Sequence, residues 1–288
     1  MTARRALEDR LEAWKSFRGI ARAARTLAAA QVISWKARVE HVTRHLAWTT
    51  ALLEHELGPP VAADRRVGVA IGTDLGLCGR MNAVVAEALL ASPWANRPVV
   101  IVGSRLADEL PDREPMPQLN APASFEAVEV RAAEVAMLLE RIVEGQSVDV
   151  TIVLAASTTA DGAALVETWS ESPVAGPEAE RARASLQGPV ACLPGGELNV
   201  PMVTALHLRA RLAHALCVAA VSEANARLFA MTRAFEASDR GIAAQTLALR
   251  KLTQESVTQD MLEVRRAAKA GGGPRRPPRG DAEARFVD

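Results

Sequence analysis

Ser222-Glu223-Ala224-Asn225-Ala226-Arg227-Leu228-Phe229-Ala230-Met231 lies within a run from about Val200 to Ala270 that reads as one helix. The run holds a single proline, Pro201 at its start, and a single glycine, Gly241. Ala, Leu, Arg, Glu and Gln dominate it, all strong helix formers. Leu206, Ala213, Leu216, Ala220, Leu228, Met231, Phe235, Ile242, Leu249 and Leu252 mostly keep three- and four-residue spacing or its multiples, which marks one apolar face. A periodic run this long without internal caps predicts a coiled coil rather than an ordinary globular helix.

A second such run supplies the partner. From Thr2 to Leu57 there is no proline and one glycine, Gly19. Leu7, Leu11, Trp14, Phe17, Ala21, Ala24, Ala28, Val32, Trp35, Val39, Val42, Leu46, Thr49 and Leu53 follow one another at steps of three or four, close to the 3.5-residue repeat. A continuous helix of that length reaches on the order of 80 Å, and Gly58-Pro59-Pro60 ends it. The two runs predict an antiparallel coiled-coil shaft, with Ala21, Ala24 and Ala28 allowing close backbone approach. The shaft helices are assigned to residues 1–58 and 200–270.

Between them, residues 67–199 read as a small parallel, Rossmann-like α/β domain. Val67–Ile71, Pro98–Val102 and Val148–Ala155 are short apolar runs of the kind that form buried strands. Helices are expected at Met81–Leu90, Ser104–Leu110 and Glu129–Gly145. Pro111 to Pro122 reads as a proline-rich loop, residues 171–190 as a surface loop, and Val190–Leu193 as a candidate last strand. The segment 271–288, rich in Gly, Pro and Arg, reads as a disordered tail.

The 288 residues carry no net charge, but its layout is uneven. Residues 1–66 hold 12 Lys/Arg against 7 Asp/Glu, residues 67–199 hold 8 against 18, and residues 200–288 hold 14 against 9. Two basic ends flank an acidic middle, which suits either plain solvation or an acidic partner for the ends. Arginine outnumbers lysine 30 to 4, a bias that a GC-rich genome produces and only a weak phosphate-binding signal. Cys78, Cys192 and Cys217 are scattered, with no metal or disulfide spacing, as expected of a reduced compartment. No signal peptide and no 18-residue apolar run is evident, so no membrane span is expected.

Chemistry-bearing motifs are few. Gly72, Gly76 and Gly79 follow the first strand and precede a helix, a geometry open to anion binding. The spacing is not Gly-x-Gly-x-x-Gly and no Gly-Lys-Ser/Thr follows, so a tight structural turn is the favoured reading. His41 and His45 stand at i, i+4 with no third ligand nearby and read as solvent-facing; Cys78 reads as a packed small residue. No nucleophile–base constellation emerges. From the residues alone, a small-molecule-binding or nucleotide-binding α/β protein with helical dimerisation arms, or a free-standing coiled-coil adaptor, stays open.

Three separated segments resemble the gamma subunit of rotary ATP synthases. Gly19-Ile20-Ala21-Arg22-Ala23-Ala24-Arg25-Thr26-Leu27-Ala28-Ala29-Ala30 is similar to that family's Lys-Ile-Thr-Lys-Ala-Met-x-x-Val-Ala-Ala stretch. Thr73-Asp74-Leu75-Gly76-Leu77-Cys78-Gly79-Arg80-Met81-Asn82 resembles its Ser-Asp-x-Gly-Leu-Cys-Gly-x-x-Asn signature, the most specific of the three. Ser222-Glu223, Arg227, Ala230-Met231, Ala234 and Gln254 through Thr258 fall in register in the last helix. The wording at Gln254–Thr258 is closer to the alternative, N-type branch. Ala24 replaces the family's methionine, Thr253-Gln254 its Arg-Gln catch, Ala237 an asparagine and Gly19 a lysine; these departures bear on coupling rather than on fold.

The resemblance implies a non-catalytic rotor shaft with no cofactor, no metal and no nucleic-acid partner. Its implied partners are three alpha and three beta subunits, the epsilon subunit and the membrane c-ring. Its implied place is the cytoplasmic face of a bacterial inner membrane, as a peripheral protein. Arg18, Arg22, Arg25, Arg250, Lys251, Thr253 and Gln254 become candidate contacts with the alpha/beta ring. Asp74, Gly76, Leu77, Cys78, Gly79 and Asn82 form the signature turn.

Overall fold

The computed structural model describes residues 3–57, 65–110, 117–143, 148–170, 173, 176–186 and 200–271. The chain divides into two compact units. The described residues of Met1–Arg18 and Ala237–Asp288 form one, and Gly19–Glu236 the other.

Two long helices run through the sequence, α1 at Ala3–Leu57 and α6 at Val200–Gly271. Within Gly19–Glu236 they lie alongside each other in opposite senses. Arg227 donates to Gln31 Oε1 at 3.3 Å, and the Arg25 guanidinium sits 4.7 Å from the centre of the Phe235 ring. Ala21, Ala28, Val32, Val42 and Leu46 of α1 are buried, as are Ala213, Leu216, Ala224 and Met231 of α6. In the other unit Arg18 meets Asp239 at 2.6 Å and Trp14 packs on Gly241. A Cβ at Gly241 would stand 2.7 Å from the Trp14 indole, so the helical cost of glycine, about 1 kcal/mol against alanine, is met by a close approach that no larger residue permits. The apolar stripes read from the sequence account for these contacts. Phe17 departs from its stripe and is exposed, as is Leu206.

In sequence between the long helices lie the strands of a five-stranded sheet, β1 (Arg65–Ile71), β2 (Val99–Val102), β3 (Gln118–Leu119), β4 (Val148–Thr158) and β5 (Ala164–Trp169). The strand order is β3-β2-β1-β4-β5. β1, β2, β3 and β4 run parallel, with Val69 opposite Val100 on one side and Ile152 on the other. β5 runs antiparallel to β4, so the sheet is mixed, not the all-parallel sheet expected from the sequence.

Both faces of the sheet are covered, which is why β1 and β2 read as continuous apolar runs. One face packs against α4 (Glu126–Val143) and against Val42, Leu212, Leu216 and Ala219 of the long helices. The other packs against α2 (Met81–Ala91) and α3 (Ser104–Asp108) through Met81, Val85, Leu89 and Leu106. A further helix, α5 (Pro177–Ser185), lies inside the stretch read as surface loop. Its mixed charges hide two inward alanines, Ala179 and Ala182, which pack with Leu46, Ala47, Ala51 and Ala210. Proline at its first position suits a helix start, where an N–H would lack a partner anyway. Gln118–Leu119 adds a short edge strand within the stretch read as proline-rich loop. The candidate strand at Val190–Leu193, the Gly58-Pro59-Pro60 stop and the tail beyond 271 lie outside the described residues.

Candidate functional site

The signature turn links β1 to α2. Thr73 and Asn82 hold it shut from either end: the Thr73 N–H donates to Asn82 Oδ1 at 3.0 Å, and Asn82 Nδ2 donates to Thr73 Oγ1 at 2.9 Å. Thr73 Oγ1 in turn donates to the Leu75 carbonyl at 2.9 Å. Asp74 reaches outward and accepts the Ser104 N–H at 2.7 Å, which ties the turn to the start of α3. Gly72 is required by crowding, since a Cβ there would lie 2.5 Å from Leu106 Cβ and 2.7 Å from Asn82 Oδ1.

Leu77 adopts a left-handed backbone (φ 69°) and so does Gly79 (φ 64°). For leucine this conformation costs of order 1–3 kcal/mol and persists only where neighbours over-determine it. Here the Thr73–Asn82 exchange and the buried Cys78 do so. The result is a stiff loop with Leu75 (63% exposed) and Leu77 (59%) held out to solvent. Burial pushes the Cys78 thiol above its ordinary range, partly offset by the Thr73 hydroxyl 3.7 Å away, so Cys78 is a packed group and not a thiolate. The loop interior is filled by its own side chains. Replacing Asn82 by alanine leaves the buried Thr73 N–H without its acceptor and is expected to cost about 1–3 kcal/mol, read as a lower thermal midpoint of the full-length chain.

A charged group that sequence reasoning did not single out as a site lies close to the turn. Glu223 and Arg227 on α6 form an ion pair, largely buried on both sides, and Arg227 also reaches Gln31 of α1. Burial raises the Glu223 carboxyl above its usual range; Arg227 opposes that rise and Asp74 adds to it. Arg227 thus sits where α1, α6 and the turn come together. In the sequence, Glu223 and Arg227 stood out by their i, i+4 spacing and as positions in register with the resembled family, but neither showed that they pair beside the turn.

The seven candidate ring contacts are divided between the two units. Arg18, Arg250, Lys251, Thr253 and Gln254 fall in one unit, and Arg22 and Arg25, like the signature turn, in the other. Arg18 is engaged by Asp239 and Arg25 by Phe235, while Arg22, Arg250, Lys251 and Gln254 face solvent. Thr253 Oγ1 donates back to the Leu249 carbonyl at 2.9 Å. His41 and His45 are exposed. From Thr253 to Ala270, α6 is exposed on every side, including the apolar Val257, Met261, Leu262 and Val264. No helix among the described residues is long and apolar enough to cross a membrane, and no group of three or more metal-ligating side chains occurs among them.

A family model described as ATP synthase matches residues 3–270. No curated protein sequence matches the chain. Among solved structures, the chain is similar to one in the Euglena gracilis mitochondrial ATP synthase OSCP/F1/c-ring assembly, rotational state 3. The TM-score is 0.61 at 17% identity, over 95% of this chain and 98% of that one. A chain of the Euglena gracilis ATP synthase rotor in rotational state 1 matches with TM-score 0.56 and 17% identity, over 88% and 98%. A chain of the Tetrahymena thermophila mitochondrial ATP synthase central stalk and c-ring matches with TM-score 0.51 and 20% identity, over 75% and 99%.

Proposed function

The chain belongs to the gamma-subunit family of ATP synthases, whose members are non-catalytic rotor subunits, and from that premise we propose how its parts serve the rotor. α1 and α6 pair as an antiparallel coiled coil, the central shaft within a ring of three alpha and three beta subunits. The α/β insert is the foot, seated on the epsilon subunit and the c-ring at the cytoplasmic face of a bacterial inner membrane. In that role the chain couples ion transport through the c-ring to ATP synthesis or hydrolysis in the ring.

The observation that carries this reading is the family match across residues 3–270, on a chain whose two long helices lie side by side in opposite senses. Physical chemistry supplies the mechanics. A seam of interlocked apolar side chains resists slippage, because sliding would expose buried surface at roughly 25 cal/mol per Å². An asymmetric shaft touches each of three equivalent catalytic subunits differently, and differential contact is what biases each between open and closed states. The exposed arginines Arg22 and Arg250, with Lys251 and Gln254, suit contacts that are made and remade, since an exposed ion pair is worth only about 0–1 kcal/mol. The wholly exposed end of α6, with Val257, Met261 and Val264 at i, i+4 and i+7, suits a sleeve that the partner subunits provide.

Co-expression with the alpha, beta, epsilon and c subunits encoded by the same genome tests the proposal. The chain is expected to co-purify with all four and to be required for ATP-driven ion pumping by the reconstituted complex. Recovery of an active, pumping complex that lacks the chain would overturn it.

A further inference from the structure

The β4–β5 hairpin follows α6 for most of the hairpin's length and is fastened to it at both ends. At the open end, Arg211 Nη2 donates to the Val150 carbonyl at 3.0 Å and to the Ser170 carbonyl at 3.2 Å, reaching both strands at once. One helical turn further on, His214 stacks on Trp169 with ring centres 5.5 Å apart. In the middle, Ala226 belongs to the same packed cluster as Val153, Ala155, Ala164 and Val166. At the closed end, Gly162 (φ 83°) presses its backbone against Phe229, where any Cβ would collide. Arg233 there donates to the Asp161 carbonyl. The turn is tightened from within by Thr159, whose N–H donates to the Ala163 carbonyl at 2.8 Å and whose hydroxyl accepts the Ala163 N–H at 3.0 Å.

The lengths agree. From Arg211 to Arg233 α6 rises roughly 33 Å, and β4 from Val150 to the turn at Asp161 spans roughly 36 Å. The α1 side is different in kind. α1 meets the insert through apolar packing, with Trp35 against Phe125 and Leu46, Ala47 and Ala51 against α5, and through side-chain ion pairs: Arg38 to Glu126 at 3.8 Å, Arg44 to Glu178 at 3.9 Å and a bidentate Arg183–Glu54 pair at 2.7 and 3.0 Å. The first two pairs are long and exposed and hold weakly, and all three join side chain to side chain, so each depends on a rotamer at both ends.

We propose that the β4–β5 hairpin is a splint that locks the α/β insert to α6, so that rotation of the insert passes into α6 rather than α1. A two-stranded ribbon held at one point can pivot, whereas one held at both ends and along its middle can only move with the helix. The arginines clasp backbone carbonyls instead of side chains, so the clasp does not depend on a rotamer at the far side. Arg211 and Arg233 are positioning residues in this scheme. The purpose assigned to the splint rests on the rotor reading, but the fastening itself does not.

The test uses the full chain with both arginines replaced by alanine, Arg211→Ala with Arg233→Ala, and a parallel variant carrying lysine at both positions. Hydrogen exchange on the isolated chain reads the splint, and ATP hydrolysis beside ATP-driven ion pumping in the assembled complex reads transmission. The alanine variant is expected to speed exchange of the β5 amides by about tenfold, with β1 amides unchanged. It is also expected to retain hydrolysis while losing pumping, and the lysine variant should recover part of both readouts. Unchanged β5 exchange, or faster exchange with pumping intact, overturns the proposal, as does a pumping loss with exchange unaltered. Failure of the rotor reading appears separately, as a wild-type complex whose pumping does not need this chain.

Discussion

Replacing Leu252 by proline is expected to break α6 where its packed face ends and to uncouple ATP hydrolysis from ion pumping. Leu252 is the last partly buried residue of α6, and every described residue from Thr253 to Ala270 is exposed. Proline there removes the N–H that bonds to the Ala248 carbonyl and drives its ring into that carbonyl, at a cost of about 3 kcal/mol or more. The damage falls in the unit that also holds the Trp14–Gly241 approach and the Arg18–Asp239 ion pair. A loss of helical circular dichroism and a drop in ions moved per ATP hydrolysed are the expected readouts. Leu252→Ala keeps the helix and trims only the side chain, so it should remain coupled. Unchanged coupling in the proline variant would count heavily against the shaft assignment.

The second large effect is acid sensitivity. His207 and His214 lie on one face of α6, and burial holds both well below an ordinary histidine, at about 4 each; for His207 the Arg211 guanidinium adds to that and Glu54 opposes it. Each Nδ1 is buried without a hydrogen-bond partner. A proton added there would become an uncompensated buried donor on a charged ring. Above about pH 6.5 the histidines are neutral in folded and unfolded chains alike. Between about 6.5 and 4 the unfolded chain takes up protons that the folded chain refuses, so stability is lost as the pH falls. From 6.5 to about 4 at about 1.4 kcal/mol per pH unit, each histidine contributes on the order of 3 kcal/mol of loss. Urea midpoints measured from pH 7 to 4 should fall steeply in the wild-type chain. In His214→Phe, which keeps a ring against Trp169, the slope should be about half as steep, and an unchanged slope would refute the assignment.

Raised carboxyls act in the opposite sense. Glu223 has its folded-state value pushed up by burial, so its contribution is present at low pH and lost as the pH rises past that value. It therefore offsets part of the histidine effect in the acid range. Against this single group stand two histidines, each held at about 4 and each losing stability as the pH falls.

Much of the architecture was legible in the chain as written. α1 and α6 announced themselves because 55 and 72 residues rich in helix formers, with one internal glycine each and proline only at the start of α6, leave no other local structure open, and heptad-like spacing forces the apolar stripe inward. β1, β2 and β4 were legible because strands covered on both faces are apolar throughout. The signature turn was located from its glycines and its resemblance, but its mechanics were not. Which of Thr73, Cys78 and Asn82 would meet depended on the eight residues between Thr73 and Asn82 closing on themselves.

What tertiary structure alone decided were the features built from long-range pairing. β5 is an edge strand with alternating exposure, and α5 buries only two alanines, so neither carries enough local apolar signal to be read without its neighbours. The antiparallel sense of β5 rests on pairs 6 to 17 positions apart, and the clasp of Arg211 on two strands and the approach of Gly162 to Phe229 join residues 41 to 67 positions apart in the chain. Local sequence sets which residues favour helix or strand because that preference is paid within a turn or two of backbone. Which strand lies against which helix is set by burial, and burial exists only once distant segments have met.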